Sequence, residues 1–241
     1  MRVFVTGATG FVGSATVAEL ISAGHQVTGL SRSDAGAETL TRAGATVARG
    51  DVTDLQRLRK AASGAEAIIH TAFNHDASAD VRQQSENDRR VIATLGAALP
   101  KNAPLIITSG TGLVQSATGG PVTETDPHAP SSVFPRAAHV TDVARLYRLA
   151  LENGQWGARY HAVTQQGVTL RAIAEVLGTH MGLPIQSLTP RQAPAYFGPL
   201  LQLAQLDLPA SGTQTQQRLD WNPTGPDLLT DLRNTDYTTI S

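Results

Sequence analysis

The chain has 241 residues, 19 Lys and Arg against 20 Asp and Glu, a net charge of −1, 41% apolar residues and 16% charged ones. That length closes a core without staples and suits one large domain or a domain with an appendage, while the balanced charge gives no electrostatic footprint for nucleic acid or an anionic membrane. The sequence holds no cysteine, which excludes disulfides, zinc–thiolate and iron–sulfur sites and a Cys nucleophile. No apolar run nears the ~18 residues of a membrane span, and the opening MRVFVTGATG reads as a strand entering a turn instead of a signal peptide. The expectation is a soluble cytoplasmic chain.

In chain order, Val3–Val5 is a buried-strand candidate and a Gly-rich turn follows it. Ser14–Ala23 has helical spacing, with Gly24 placed to end it. The spacing then predicts a strand over Gln26–Leu30, a helix over Asp34–Ala43, a strand over Thr46–Arg49 and a helix capped by Asp54 and running to about Ser63. Strands at Ala67–Ala72 and Leu105–Thr108 flank a long helix over Val81–Leu99. Such alternation implies an α/β fold, a doubly wound parallel sheet of Rossmann type. From Gly110 to Pro135 the texture turns to Pro, Gly, Ser and Thr, a long irregular loop. Beyond it come helices over Thr141–Asn153, from the Thr169 cap to about His180, over Pro190–Leu206 and over Asp227–Arg233, with a strand at Arg159–Val163. The expected division is residues 1–138 for dinucleotide binding and 139–241 for the rest of the sheet and a small substrate side.

The turn Thr6-Gly7-Ala8-Thr9-Gly10-Phe11-Val12-Gly13 carries chemistry. Gly7 permits a tight turn, Gly10 lets the backbone approach a diphosphate, and Gly13 lets the helix pack on the strand. The free N–H groups of the helix start then favour the anion.

The G-x-x-G-x-x-G spacing resembles the extended and atypical branch of the short-chain dehydrogenase/reductase superfamily, the NAD-dependent epimerase/dehydratase type. Other segments are similar to it: Gly50-Asp51-Val52-Thr53-Asp54, His70-Thr71-Ala72-Phe73, Asn87, Val122-Thr123-Glu124-Thr125-Asp126-Pro127, His139-Val140-Thr141-Asp142-Val143-Ala144, Arg159-Tyr160-His161-Ala162-Val163, and Leu219-Asp220-Trp221-Asn222-Pro223 against the family's lGW-x-P. The resemblance implies an NAD(P)-dependent oxidoreductase or epimerase acting on a small organic substrate. The implied cofactor contacts are Gly7, Thr9, Gly10, Phe11, Val12, Gly13, Ser31, Arg32, Asp51, Val52, Thr71, Ala72, Phe73 and Thr108.

At the end of the second strand an acid selects NAD and an Arg pairs with a 2′-phosphate. Leu30-Ser31-Arg32-Ser33 holds Arg32 between hydroxyls, so NADP(H) is expected, with NAD(H) as the alternative. Where the family has Tyr-x-x-x-Lys this chain has Phe134 and Ala138, and Phe transfers no proton. Ser109 and Thr111 remain as candidate catalytic hydroxyls, without the G-x-S-x-G elbow of a hydrolase. His139 follows Ala138 directly, where relatives continue that helix and add a further strand, so an internal segment is missing after Ala138. Losing it leaves an exposed edge at the fifth strand or moves Arg159–Val163 inward. A catalytically silent sensor of NADP(H) is the competing reading. Dimerisation through the helices flanking the fifth strand, implied by the resemblance, is left open because one of them is cut away. His70, His75, His128, His139 and His161 form no H-x-x-x-H pair, so no metal is expected. His75 beside Asp76 reads as a loop residue, and Arg57, Arg59, Lys60, Arg89 and Arg90 as solvated helix faces.

Overall fold

Alternating short apolar strands with helices yields a parallel five-stranded sheet in the order β3-β2-β1-β4-β5. The computed structural model describes residues 1–73, 80–110, 121–126, 138–165, 167–198, 201 and 210–237. Its first elements are β1 (Arg2–Thr6), α1 (Phe11–Ser22), β2 (Gln26–Ser31), α2 (Asp34–Arg42), β3 (Thr46–Arg49), α3 (Leu55–Ala62), β4 (Ala67–His70), α4 (Val81–Ala98) and β5 (Leu105–Ile107). They are followed by α5 (Val140–Asn153), α6 (Leu170–Met181), α7 (Ala193–Phe197), α8 (Thr213–Leu219) and α9 (Leu228–Asn234).

The strands are apolar on both faces because both are covered, as parallel sheets require. Val3, Val5 and Ile69 pack with Val17 and Leu20 of α1, Leu40 of α2 and Leu151 of α5. The intervening Phe4, Leu30 and Ile68 pack with Leu58 of α3 and with Val91 and Leu95 of α4. Polar caps start the helices where the sequence places them. Ser33 accepts from Gly36 N, Asp54 from Arg57 N, Thr169 from Ala172 N and Asp227 from Thr230 N.

The chain forms two compact units, residues 1–108 with 143–157, and residues 109–142 with 158–241. This differs from the expected division at residue 138, because α5 returns to the sheet of the first unit. There Leu151 joins the core, and Arg148 bonds Glu19 of α1 at 2.7 Å and Glu152 at 2.8 Å. The hydrogen bond that Arg148 donates to Glu19 raises its guanidinium pKa most; burial pulls the other way, and the Glu152 and Glu19 charges add to the rise.

The second unit is built around buried polar anchors. Trp221 is buried and its Nε1–H donates to the Asp142 carbonyl at 3.0 Å. The Asp142 carboxylate accepts the Thr224 and Gly225 N–H groups, each at 2.9 Å. Buried Glu124 accepts the Thr215 N–H at 2.8 Å and its hydroxyl at 2.5 Å through Oε1, while Oε2 has no partner among the described residues.

One expected element differs. Arg159–Val163 is not a strand: the His161 N–H donates to the Thr215 hydroxyl at 2.7 Å, and Val163 N turns back to the His161 carbonyl at 2.9 Å. Neither group is left for a ladder. Of the helix expected over Pro190–Leu206, the described residues show Ala193–Phe197, followed by Gly198 at φ +51°, and Leu201 is again helical; residues 199–200 and 202–209 lie outside the described residues. Among the described residues no strand lies beyond β5, and Ile107 there is 43% exposed. At three residues β5 is short, which limits the unpaired backbone it presents. No helix among the described residues is long and apolar enough to cross a membrane.

Candidate dinucleotide site

Parallel strands place their C-terminal ends, and the turns that follow, along one edge of the sheet. Gly7–Gly13, Ser31–Arg32, Asp51–Val52, Thr71–Phe73 and Thr108 all lie there in the first unit. The tight geometry begins at Gly7, whose φ of +67° favours glycine; a Cβ there would meet Thr71 Oγ1 at 2.6 Å and Ala72 N at 2.7 Å. Gly7 O accepts the Gly10 N–H at 2.9 Å, closing the turn. Gly13 faces the same carbonyl so closely that a Cβ would sit 2.0 Å from it. Gly10 is different: a Cβ would meet only Gly7 O, at 3.3 Å, leaving its outer side open to a ligand.

Gly10 caps α1 with no side-chain bond, and the first turn holds no acidic residue. The Ser14 N–H donates back to Gly10 O at 2.8 Å, so the N–H groups of Phe11, Val12 and Gly13 precede the first intrahelical bond. Thr9 and Phe11 are exposed beside them. Free donors, positive helix end and a Cβ-free approach fit a dinucleotide diphosphate. Bound there, such a cofactor supplies or accepts hydride at its nicotinamide.

Ser31 is buried and its hydroxyl donates to the Ser33 carbonyl at 3.0 Å. Gly36 allows this packing, since a Cβ would lie 2.5 Å from Ser31 Oγ and 3.0 Å from Thr9 Cγ2. Arg32 projects outward, its side chain 80% exposed, 3.4 Å from Asp51 Oδ2. Partial burial pushes the Asp51 carboxyl pKa up, but the Thr53 N–H and hydroxyl on Oδ1, together with Arg32, bring it below the usual carboxylate value. Val52, next to Asp51, packs against the core cluster that includes Leu30 and Leu58. Arg49 is engaged otherwise, on the Ser33 carbonyl and on Asp34 at 2.6 Å.

At β4 and β5 a hydroxyl network closes the edge. The Thr71 hydroxyl donates to Thr6 O at 2.8 Å. His70 is buried between Thr6 Oγ1, 2.6 Å from Nδ1, and Asp88 Oδ1, 3.0 Å from Nε2. Thr108 donates its hydroxyl proton to His70 O at 2.9 Å and contacts the Tyr147 hydroxyl at 2.6 Å. Ala72 is half-buried and Phe73 is 44% exposed. Ser109, next after Thr108, is exposed and groups with the second unit. Thr111, Phe134, His75, Asp76 and His128 lie outside the described residues. Asn87 is exposed and accepts from Gln83 at 3.0 Å; its neighbour Asp88 is the residue that reaches inward. The pattern reading missed Gly36, Asp88 and Tyr147. Only Gly36 carried a signal, a glycine in the first turn of a helix, where it is otherwise unfavourable.

The family model for NAD dependent epimerase/dehydratase matches residues 3–138, more than half of the chain. The chain belongs to this family. An uncharacterised protein of Schizosaccharomyces pombe is 32% identical over 98% of this chain and 100% of its own length, and one of Saccharomyces cerevisiae is 32% identical over 97% and 98%. UDP-glucose 4-epimerase from Bifidobacterium longum, solved with NAD+ and UDP, superposes with a TM-score of 0.71 at 16% identity, covering 97% of both chains. The function is NAD(P)-dependent and epimerase/dehydratase-like, with the substrate open. The two yeast alignments run over 296 and 293 residues while using 98% and 97% of these 241, so about sixty positions of each relative have no counterpart in this epimerase-family chain.

Proposed function

We propose that this chain binds NADP(H) in preference to NAD(H), in the cytoplasm, and serves an oxidoreductase or epimerase reaction on a small organic carbonyl or alcohol, with no nucleic-acid or membrane partner. The observation that carries the cofactor choice is the end of β2, where Ser31 is buried, Arg32 stands free of the sheet with its guanidinium outward, and no carboxylate occupies the strand end. A guanidinium beside hydroxyls suits a ribose 2′-phosphate, which an acid there repels. The Asp51 carboxylate beside Arg32 is a weak competitor at 3.4 Å on an exposed side chain.

Phe134 and Ala138, in place of the proton-transferring Tyr and its Lys, support a second reading, a dinucleotide-binding sensor without turnover. We also place the missing segment directly after Ala138, where the family model ends. The test is calorimetric titration with NADPH and NADH beside a thermal melt. Micromolar NADPH binding, weaker NADH binding and a melt raised by ligand are expected. Equal affinities refute the NADP preference, and stereospecific hydride transfer to any carbonyl refutes the silent sensor.

A further inference from the structure

The pairing of β2 with β3 sets Ser31 opposite Arg49, so the Arg49 side chain reaches across the turn that leads from β2 into α2. Its guanidinium donates to the Ser33 carbonyl and, at 2.6 Å, to Asp34 Oδ1. Asp34 is the first acid after the strand and stands two residues beyond Arg32, with its side chain exposed. An acid in this neighbourhood accepts from a free 2′-OH and repels a 2′-phosphate. A chain that takes NADP(H) therefore needs that carboxylate offset, and Arg49 is the cation on it. We propose that Arg49 is a specificity-determining residue: it cancels and holds the Asp34 carboxylate, so that Arg32 can take a ribose 2′-phosphate without opposition from the start of α2. The proposal rests on the NADP(H) reading above.

The charge count supports it. Arg32 and Arg49 face Asp51 and Asp34, one cation to each carboxylate, at 3.4 and 2.6 Å. Glu38 and Arg42, which line an open hollow with Asp34 and Arg49, offset each other as well. The turn is balanced before any ligand arrives. A bound 2′-phosphate adds a charge of about −1.5 to −2 and draws on Arg32, while Asp51 keeps the Thr53 N–H and hydroxyl on Oδ1. Arg49 then still covers Asp34. The ion pair is solvent-exposed and contributes little to stability; what it changes is the charge that the ligand meets. Arg49 acts through Asp34 and the turn, as a positioning residue, without touching the cofactor.

Two variants separate charge from hydrogen bonding. Arg49→Gln keeps a side-chain amide donor and removes the charge, whereas Arg49→Lys keeps the charge. Each is titrated with NADPH and NADH by calorimetry, beside the native chain and the double variant Arg49→Gln/Asp34→Asn, with a thermal melt to show that each is folded. One uncovered unit charge about 7 Å from a phosphate changes affinity about sevenfold at an effective dielectric near 40. Arg49→Gln is therefore expected to weaken NADPH binding by about fivefold or more and to leave NADH within about twofold. Arg49→Lys and the double variant are expected within about twofold of the native NADPH affinity, and about 1 M salt should shrink the Arg49→Gln loss. Parallel losses of NADPH and NADH in Arg49→Gln, or a double variant as weak as Arg49→Gln, show that Arg49 only braces the turn and overturn the proposal. A native chain that binds both dinucleotides equally overturns the NADP(H) reading and the proposal with it. A native preference that survives intact in Arg49→Gln overturns the proposal alone.

Discussion

Replacing Gly13 by Ala puts a carbon 2.0 Å from the Gly7 carbonyl oxygen, 2.7 Å from its carbon and 3.1 Å from Ala8 Cα. All three atoms are backbone, so no side chain can swing away. Restoring a contact of about 3.0 Å requires the first turn of α1 and the loop before it to part by about 1 Å. Overpacking of this kind costs about 1–3 kcal/mol, and it displaces the N–H groups aimed at the diphosphate, each charge-assisted bond being worth about 1.5–3 kcal/mol. Gly10→Ala is the control. Gly10 has φ −79° and ψ 173°, which any residue adopts, and its Cβ would meet only Gly7 O at 3.3 Å. Stability is expected to stay within about 1 kcal/mol, while the methyl group stands in the ligand's path. Urea unfolding and calorimetry with NADPH separate the two. Gly13→Ala should lose both stability and at least a hundredfold in affinity, Gly10→Ala at least tenfold in affinity alone. Native affinity in Gly10→Ala would falsify the assignment of this turn as the diphosphate cradle.

Arg32→Ala should weaken NADPH binding at least tenfold and leave NADH within about twofold; equal losses mean that Arg32 reads something other than the 2′-phosphate. Asp142→Ala leaves the Thr224 and Gly225 N–H groups without their acceptor and should cost about 2–4 kcal/mol in urea unfolding, with Asp142→Asn costing less. Asp220 holds φ +50° where the family pattern has Gly. Asp220→Gly should therefore gain about 0.5–1 kcal/mol, read as a higher urea midpoint. Because the folded Tyr147 pKa lies above the unfolded 10.0, the unfolded chain releases this proton first, and stability falls as pH rises beyond about 10. Tyr147→Phe should remove that part of the alkaline loss, and a slope identical to the native chain's refutes it.

The dinucleotide half was legible because its signals are local. A glycine that must turn, a carboxylate that caps its own helix and an apolar run between them each act within a few residues, and Gly7, Asp54 and Val3–Val5 behave accordingly. Arg159–Val163 misled because its apolar alternation serves anchoring to Thr215, which lies 54 residues away from His161 in the chain. Tyr147 was invisible for the opposite reason. In Asp-Val-Ala-Arg-Leu-Tyr-Arg-Leu-Ala it occupies an ordinary inward helical position, and only the fold reveals that Thr108 is the polar group meeting its hydroxyl.

The first unit is discontinuous: residues 109–142 leave it and α5 comes back. Its core is completed only when Leu151 has been added, so an emerging chain cannot finish this half before the excursion has been made in full. An excursion pinned at both ends is also a place where length is cheap. Closure entropy grows as about (3/2)RT ln n, so adding the roughly sixty positions found in the yeast relatives to this stretch changes the cost by only about 1 kcal/mol. A dinucleotide half built this way tolerates large gains and losses between two fixed points while β1 to β5 keep their order.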